Sequence, residues 1–315
     1  MTQKSVARKH HYIPQAFLAG FTEQGKKDGQ LYVFDPANGT SFRTIPKKVA
    51  AERDFNRVDV LGKPIDVVEK ALASFEMNAI EAIKRVVESE AFPNDEDYIL
   101  ILNFLGLLAI RNPRLRKSFN ESREAVCRRL LELVVSNTKV WEHHKVKAIA
   151  GGHEISTSVS FDDAREFVRR GEYDVTFSSE GNLRAEFGAL DDVLRVLGQR
   201  SWSVLIAPKD GTEFICADHP VTLWSKSGSR ESLGLGMTNT EIFLPLSKRV
   251  GFYGVYEEPL KEVVRCRASN VAIMNQRAMD TAQRHVYSAS PSFSIWQDEM
   301  IREVSCISGA PRRKP

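Results

Sequence analysis

Between Asp66 and Glu88 apolar side chains recur at Val68, Leu72, Phe75, Ala79, Ile83 and Val86. Steps of three and four residues put them on one face, so an amphipathic helix is predicted over 66–88. Asn94-Asp95-Glu96-Asp97 follows, supplying a capping side chain and three acids for the positive end of the next helix. That helix carries the largely apolar run 98–110 into the core. It ends or kinks near Asn112-Pro113, because proline disfavours helical geometry in the residue before it. Helical spacing continues over 118–146, breaks at Gly151-Gly152, and returns in two shorter stretches, 161–170 and 190–199.

Both ends of the chain have a different pattern. Residues 1–65 are expected to be extended structure and turns. Runs 31–34 and 40–44 flank Asp35-Pro36-Ala37-Asn38-Gly39, a hairpin signal because proline fixes φ and Asn-Gly accepts positive φ. From residue 201 strands are predicted over 202–207, 213–217, 241–246 and 250–253, divided by turns bearing Gly and Pro. A helix is expected over 258–286, with Val263, Val271, Met274, Ala278 and Ala282 on its apolar face, and residues 311–315 are expected to fray. These elements make an α+β fold, a central helical block with an N-terminal hairpin region and a mostly antiparallel C-terminal sheet. One domain over 1–315 is expected, divided into a β/turn segment (1–65), the helical block (66–200) and a sheet with a C-terminal helix (201–315).

Composition adds limits. The 42% hydrophobic content is ample for a core and the 27% charged content is ordinary for a soluble protein. A net charge of +3 is too small to indicate a nucleic-acid partner, so only its distribution can. Cys127, Cys216, Cys266 and Cys306 show neither CxxC nor zinc-finger spacing, which points to free thiols in a reducing compartment. The apolar run 98–110 contains Asn103 and Gly106 and falls short of the ~20 residues that span a bilayer. With no secretory h-region ahead of it, the chain is expected to be cytoplasmic and without membrane contact.

The chemistry-bearing residues cluster in a few places. Lys9-His10-His11-Tyr12-Ile13-Pro14-Gln15 brings two imidazoles, a phenol and an amide together, ahead of the apolar run 16–21 that has to pack somewhere. Neighbouring residues do not share a face, so His10 and His11 point apart: one is a candidate ligand or general acid/base, the other an anchor. Ala217-Asp218-His219-Pro220 follows an apolar strand, where Asp218 either serves chemistry or closes an Asx-type turn. Arg111 ends an apolar helix, a costly position unless its guanidinium meets a carboxylate or phosphate. Between Arg111 and Lys147 the local charge is +6, either a nucleic-acid face or a solvated one. Glu69 and Glu76 lie two helical turns apart, roughly 10 Å, too far for a carboxylate dyad. His143, His144 and His153 lack metal-site spacing and are expected at the surface. No phosphate loop, GxSxG elbow or dinucleotide fingerprint is present; in Gly234-Leu235-Gly236 the third glycine fails at Asn239.

Taken together these residues resemble a bacterial family known only as domain of unknown function 4238. The His-His-Tyr-x-Pro-Gln box is matched by His10, His11, Tyr12, Pro14 and Gln15, and its apolar follow-on by Leu18 and Phe21. Asp54-Phe55, the helix carrying Glu69 and Glu76, Arg111 with Pro113, and Asp218, Pro220 and Val221 continue the likeness. Pro245-Leu246-Ser247 and a helix over 275–287 complete it. His219 stands where the family pattern has Asn, which favours Asp218 over His219 as a functional side chain. The resemblance implies that the box, Arg111 and Asp218 form one site; it implies no reaction.

The leading expectation is therefore an intracellular enzyme acting on a phosphate-bearing substrate, in the manner of a metal-assisted nuclease or phosphodiesterase. His11 would be general acid/base or metal ligand beside His10, Asp218 a metal-binding or base carboxylate, and Arg111 the group that offsets phosphate charge. Tyr12 and Gln15 would position the substrate, and Arg114, Arg116 and Lys117, with the stretch 111–147, would hold a nucleic-acid backbone. A divalent metal is the cofactor this expectation calls for. The alternative is a non-catalytic nucleic-acid- or protein-binding module in which His10, His11 and Asp218 form a hydrogen-bond network joining the N-terminal segment to the C-terminal sheet.

Overall fold

The apolar stripe at 66–88 and the capped run after it form the helices their spacing requires. They are seen in a computed structural model that describes residues 9–58, 64, 66–154, 159–228, 233–256 and 261–305. In chain order the elements begin β1 (Lys9–His11), α1 (Gln15–Leu18), β2 (Leu31–Asp35), β3 (Thr40–Thr44) and β4 (Ala51–Arg53). Six helices follow: α2 (Val67–Ser89), α3 (Asp95–Ile110), α4 (Pro113–Val134), α5 (Thr138–Ala150), α6 (Phe161–Arg170) and α7 (Ser179–Gly198). Then come β5 (Ser201–Ile206), β6 (Cys216–Ala217), β7 (Thr222–Ser225), β8 (Thr240–Pro245), β9 (Val250–Val255) and β10 (Val263–Arg265). The last are α8 (Ala268–Thr281), β11 (Val286–Ser288), β12 (Ser292–Gln297) and β13 (Met300–Ser305). The fold is α+β, and its contacts divide it into two compact units, Met1–Arg114 with Ser179–Pro315, and Leu115–Ser178.

In the first unit α2 buries Leu72, Ala79, Ile80, Ile83 and Val86. The Asn94 side chain caps α3 by accepting the Asp97 N–H at 2.9 Å. The apolar run after the histidine box belongs to the same core: Phe17 and Phe21 are fully buried, and the Phe17 ring lies 5.4 Å from Phe104 of α3. A five-stranded sheet in the order β10-β5-β9-β8-β7 completes this core, antiparallel except for the β5–β10 pair. The second large sheet has the order β3-β2-β11-β6. In it the N-terminal hairpin joins the C-terminal segment, with Val286 opposite Phe34. Most of β2 is buried, so its inner edge needed a partner from elsewhere in the chain.

Several boundaries differ from expectation for local reasons. The helix expected over 118–146 is two helices. The first starts at Pro113, whose missing N–H is harmless at a first helical position, and the second is capped by Asn137, which accepts the Val140 N–H. Helix α7 begins at Ser179 rather than 190 and passes through Gly188, where an added Cβ would meet open space. The helix expected over 258–286 starts at Ala268, and Val263 instead pairs with Val204 in β10. The strand expected over 213–217 contributes only Cys216 and Ala217, because Phe214 and Ile215 donate to Lys248 and Asn275 outside that sheet. The hairpin β12–β13 turns through Asp298 (φ 51°) and Glu299 (φ 60°), so a turn type normally marked by glycine carries no glycine. Cys306 and the tail 311–315 lie outside the described residues.

The second unit is built otherwise. Neither α4 nor α5 buries a residue, and α6 buries only Ala164. Leu115, Phe119, Val126, Leu130 and Leu133 stand exposed along α4.

Close packing in the five-stranded sheet gives a first test. A Cβ placed on Gly251 would lie 2.2 Å from the Phe243 ring, a fully buried side chain. Gly251→Ala is expected to lower stability by about 1–3 kcal/mol, seen as a lower urea midpoint with an unchanged slope.

Candidate functional site

Strand β1 pairs with β4, placing His10 opposite Glu52 and His11 opposite Ala51. The two imidazoles diverge as alternation requires. His10 is buried, and its Nδ1 accepts the backbone N–H of Asn56 at 2.8 Å. The Asn56 side chain works in two directions. Its Nδ2 donates to Glu69 Oε2 at 2.5 Å, and its Oδ1 accepts from Arg111 Nη2 at 2.7 Å. Arg111, 3% exposed at the end of α3, also has Nη1 3.9 Å from Glu76 Oε1. Burial raises the Glu76 carboxyl to about 7, against the pull of Arg111 and with a smaller push from Glu69. One network thus joins β1, the residues after β4, and helices α2 and α3.

His11 is only half-buried. Its Nδ1 lies 3.4 Å from Gln15 Nε2, and its Nε2 is shielded from solvent without a hydrogen-bond partner. Burial lowers its pKa, with the carbonyl of Lys47 opposing.

Asp218 follows β6 and is buried. Its carboxylate accepts the backbone N–H groups of Gln283 at 2.8 Å, Arg284 at 2.7 Å and His285 at 2.9 Å. Its own N–H donates to the His285 carbonyl at 2.8 Å, and its carbonyl accepts from Asn112 Nδ2 at 3.1 Å. The carboxylate therefore fastens the connection between α8 and β11, not a turn of its own. The neighbouring His219, partly exposed as a residue, has its pKa lowered to about 4 by desolvation and by Arg114, so its ring is neutral.

Asp218 and Tyr12 meet at a cleft of about 840 Å³, whose charged and aromatic lining includes Asp35, Phe42, Lys48, Glu52, Arg284 and His285. Burial raises the Tyr12 phenol well above its usual range, with Asp218 and Glu52 adding to the effect. Burial also lowers His285; Arg284 acts in the same sense, while Asp218 and Asp35 oppose. At neutral pH the cleft thus presents a neutral imidazole and a protonated phenol. Asp35 is engaged by the N–H groups of Ala37 and Asn38 and by the Asn38 amide, and Asp218 is engaged as described.

The residues chosen from sequence are thus divided among several places. His10, Arg111, Glu69 and Glu76 share the buried network, while Tyr12 and Asp218 share the cleft. His11 pairs with Gln15 and does not line the cleft. Arg114 donates from Nη1 to the Thr281 carbonyl at 3.0 Å. Arg116 and Lys117 belong to the second unit, where Lys117 lies 3.9 Å from Glu121. Other cations of the 111–147 stretch are also engaged: Arg128 with Glu124, Arg129 with Glu132, and Arg123 over the Phe177 ring at 3.9 Å. Among the described residues no group of three or more His, Cys, Asp or Glu side chains converges in the way that would hold a metal ion. Cys127, Cys216 and Cys266 are free, and among the described residues no single helix is long and apolar enough to cross a membrane. Asn56, Phe42, Arg284 and His285 were not marked by the sequence pattern. The signal for His285 was its place just ahead of β11, in the segment 275–287.

A family described as protein of unknown function (DUF4238) matches residues 9–292, from the histidine box to the start of β12. The chain belongs to this family. No curated protein and no solved structure matches it. The matched span of the DUF4238 chain covers both the buried network and the cleft.

Two tests separate holding from reacting. In Asp218→Asn the amide places donors where backbone N–H groups now point. The variant is expected to lose about 1–3 kcal/mol of stability, measured by thermal unfolding. A carboxyl raised from 4.5 to about 7 stabilises the fold fully below the lower value, and that contribution is lost as pH rises through about 7. Glu76→Gln lacks the titration. Wild-type stability relative to this variant is expected to fall by on the order of 2 kcal/mol between about pH 5 and about pH 8, read from urea titrations across that range.

Proposed function

We propose that this DUF4238 protein is a phosphoester hydrolase whose reaction takes place in the cleft between Tyr12 and the turn held by Asp218. The observation that carries this reading is the lining itself: a neutral imidazole, a protonated phenol and two cations around one hollow of about 840 Å³. His285 takes a proton from water as its oxygen attacks phosphorus. Arg284 and Lys48 offset the charge on the phosphoryl oxygens. Tyr12, which keeps its proton, donates a hydrogen bond to the leaving oxygen. The phosphorus–oxygen bond breaks, and the leaving group is protonated by the imidazolium. His10, Asn56 and Arg111 support the wall that carries Tyr12. No step is assigned to a metal. The free thiols support an intracellular setting.

Binding without catalysis is the second reading, and the three N–H groups already bound by the Asp218 carboxylate favour it. The two are separated by assaying bis(p-nitrophenyl) phosphate and labelled oligonucleotides with wild type and His285→Ala. The hydrolase reading expects turnover that falls about 100-fold or more in the variant while the melting temperature stays within a degree or so. Absence of turnover in the wild type, or equal turnover in both, leaves the binding reading.

A further inference from the structure

Phe42 does not fit the usual economy of a sheet. It lies on β3, the outer strand of the four-stranded sheet, directly opposite Val33, yet its side chain is 48% exposed. It lines the cleft and meets the His285 ring edge-to-face, with centroids 5.9 Å apart. Lys48 and Arg284, both exposed, line the same hollow. Three carboxylates, Asp35, Glu52 and Asp218, share the hollow and keep their charge, but the oxygens of Asp35 and Asp218 are turned to backbone N–H groups, so an anion is held there only by direct contact with the two cations. An exposed aromatic face beside cations suits a ligand that is flat and apolar at one end and anionic at the other. A sugar lacks the charge, an inorganic phosphate lacks the flat face, and a paired base keeps both faces inside the duplex stack.

We infer that the cleft binds an unpaired nucleotide, its base stacked on Phe42 and its phosphate between Lys48 and Arg284. This rests on the hydrolase reading for its biological sense but not for its test. Equilibrium binding is measured by fluorescence anisotropy with a short labelled single strand, the same strand made abasic, and its duplex. A nucleoside monophosphate serves as competitor. The base-bearing strand is expected to bind about tenfold or more tightly than the abasic one, and more tightly than the duplex. Phe42→Ala is expected to bring it down to the abasic level, and Phe42→Trp to restore it. Competition by the mononucleotide identifies a free nucleotide as sufficient; its failure assigns the site to a strand. Equal binding of base-bearing and abasic strands, equal binding of the duplex, an unaffected Phe42→Ala variant, or no binding at all overturns the inference. Strand binding without any hydrolysis overturns only the hydrolase reading. Hydrolysis of bis(p-nitrophenyl) phosphate with no preference for base-bearing strands overturns only this one.

Discussion

A guanidinium buried to 3% exposure cannot be left without partners, and much of the first unit follows from how Arg111 is provided with them. Removing an isolated cation from water costs several kcal/mol even after relaxation, so such a group is tolerated only with close acceptors. Asn56 supplies an uncharged acceptor at 2.7 Å, and Glu76 lies near without a tight contact at 3.9 Å. The same Asn56 amide donates to Glu69, and its backbone N–H holds His10. An asparagine amide accepts through its oxygen and donates through its nitrogen, so one side chain serves a guanidinium and a carboxylate at once. Position 56 thereby fixes the end of α3, one face of α2 and the histidine strand with one residue.

This arrangement changes the meaning of the histidine box. Two adjacent imidazoles near a chain start suggest reactivity, yet His10 is turned inward as an acceptor for a backbone N–H, and His11 faces Gln15. What the box delivers to the cleft is Tyr12, whose N–H is tied to the Ala50 carbonyl. Asp218 behaves alike on the opposite wall. Its carboxylate is engaged by three N–H groups, and the side chains it presents belong to Arg284 and His285. In both cases the residue most visible in the sequence is held by backbone N–H groups or holds one, and a group beside it lines the cleft.

That displacement explains how much was legible beforehand. The helices over 66–88 and 98–110, the hairpin at 35–39 and the long strands of the five-stranded sheet rest on periodicity and turn chemistry, which are local. The α+β class followed from them. The pairing of β2 with β11 was not legible, because it joins segments more than two hundred residues apart and is driven by an edge that must be covered. The β12–β13 hairpin escaped notice because its left-handed turn is made by Asp298 and Glu299 without glycine. Arg111 was expected to meet a carboxylate or a phosphate; its short bond at 2.7 Å goes to the amide oxygen of Asn56, and the Glu76 carboxylate stands 3.9 Å away. That the partner would be Asn56 was hidden, since a lone asparagine after an aromatic looks like any loop residue.

The site follows the same logic. Carboxylates and imidazoles carry much of the chemistry of proteins and therefore stand out first in a sequence. A carboxylate that accepts three backbone N–H groups has fewer lone pairs left for other partners than one facing solvent, and those bonds give Asp218 an architectural part. At His285 burial acts instead. Lowering its pKa keeps the ring neutral and able to accept a proton, while its partial exposure keeps it reachable. Backbone donors make the acidic group a scaffold, and exclusion of water makes the neighbouring imidazole a candidate base. Which of the two results depends on whether backbone donors reach the group first. At Asp218 they do, and the turn they form carries His285 to the cleft.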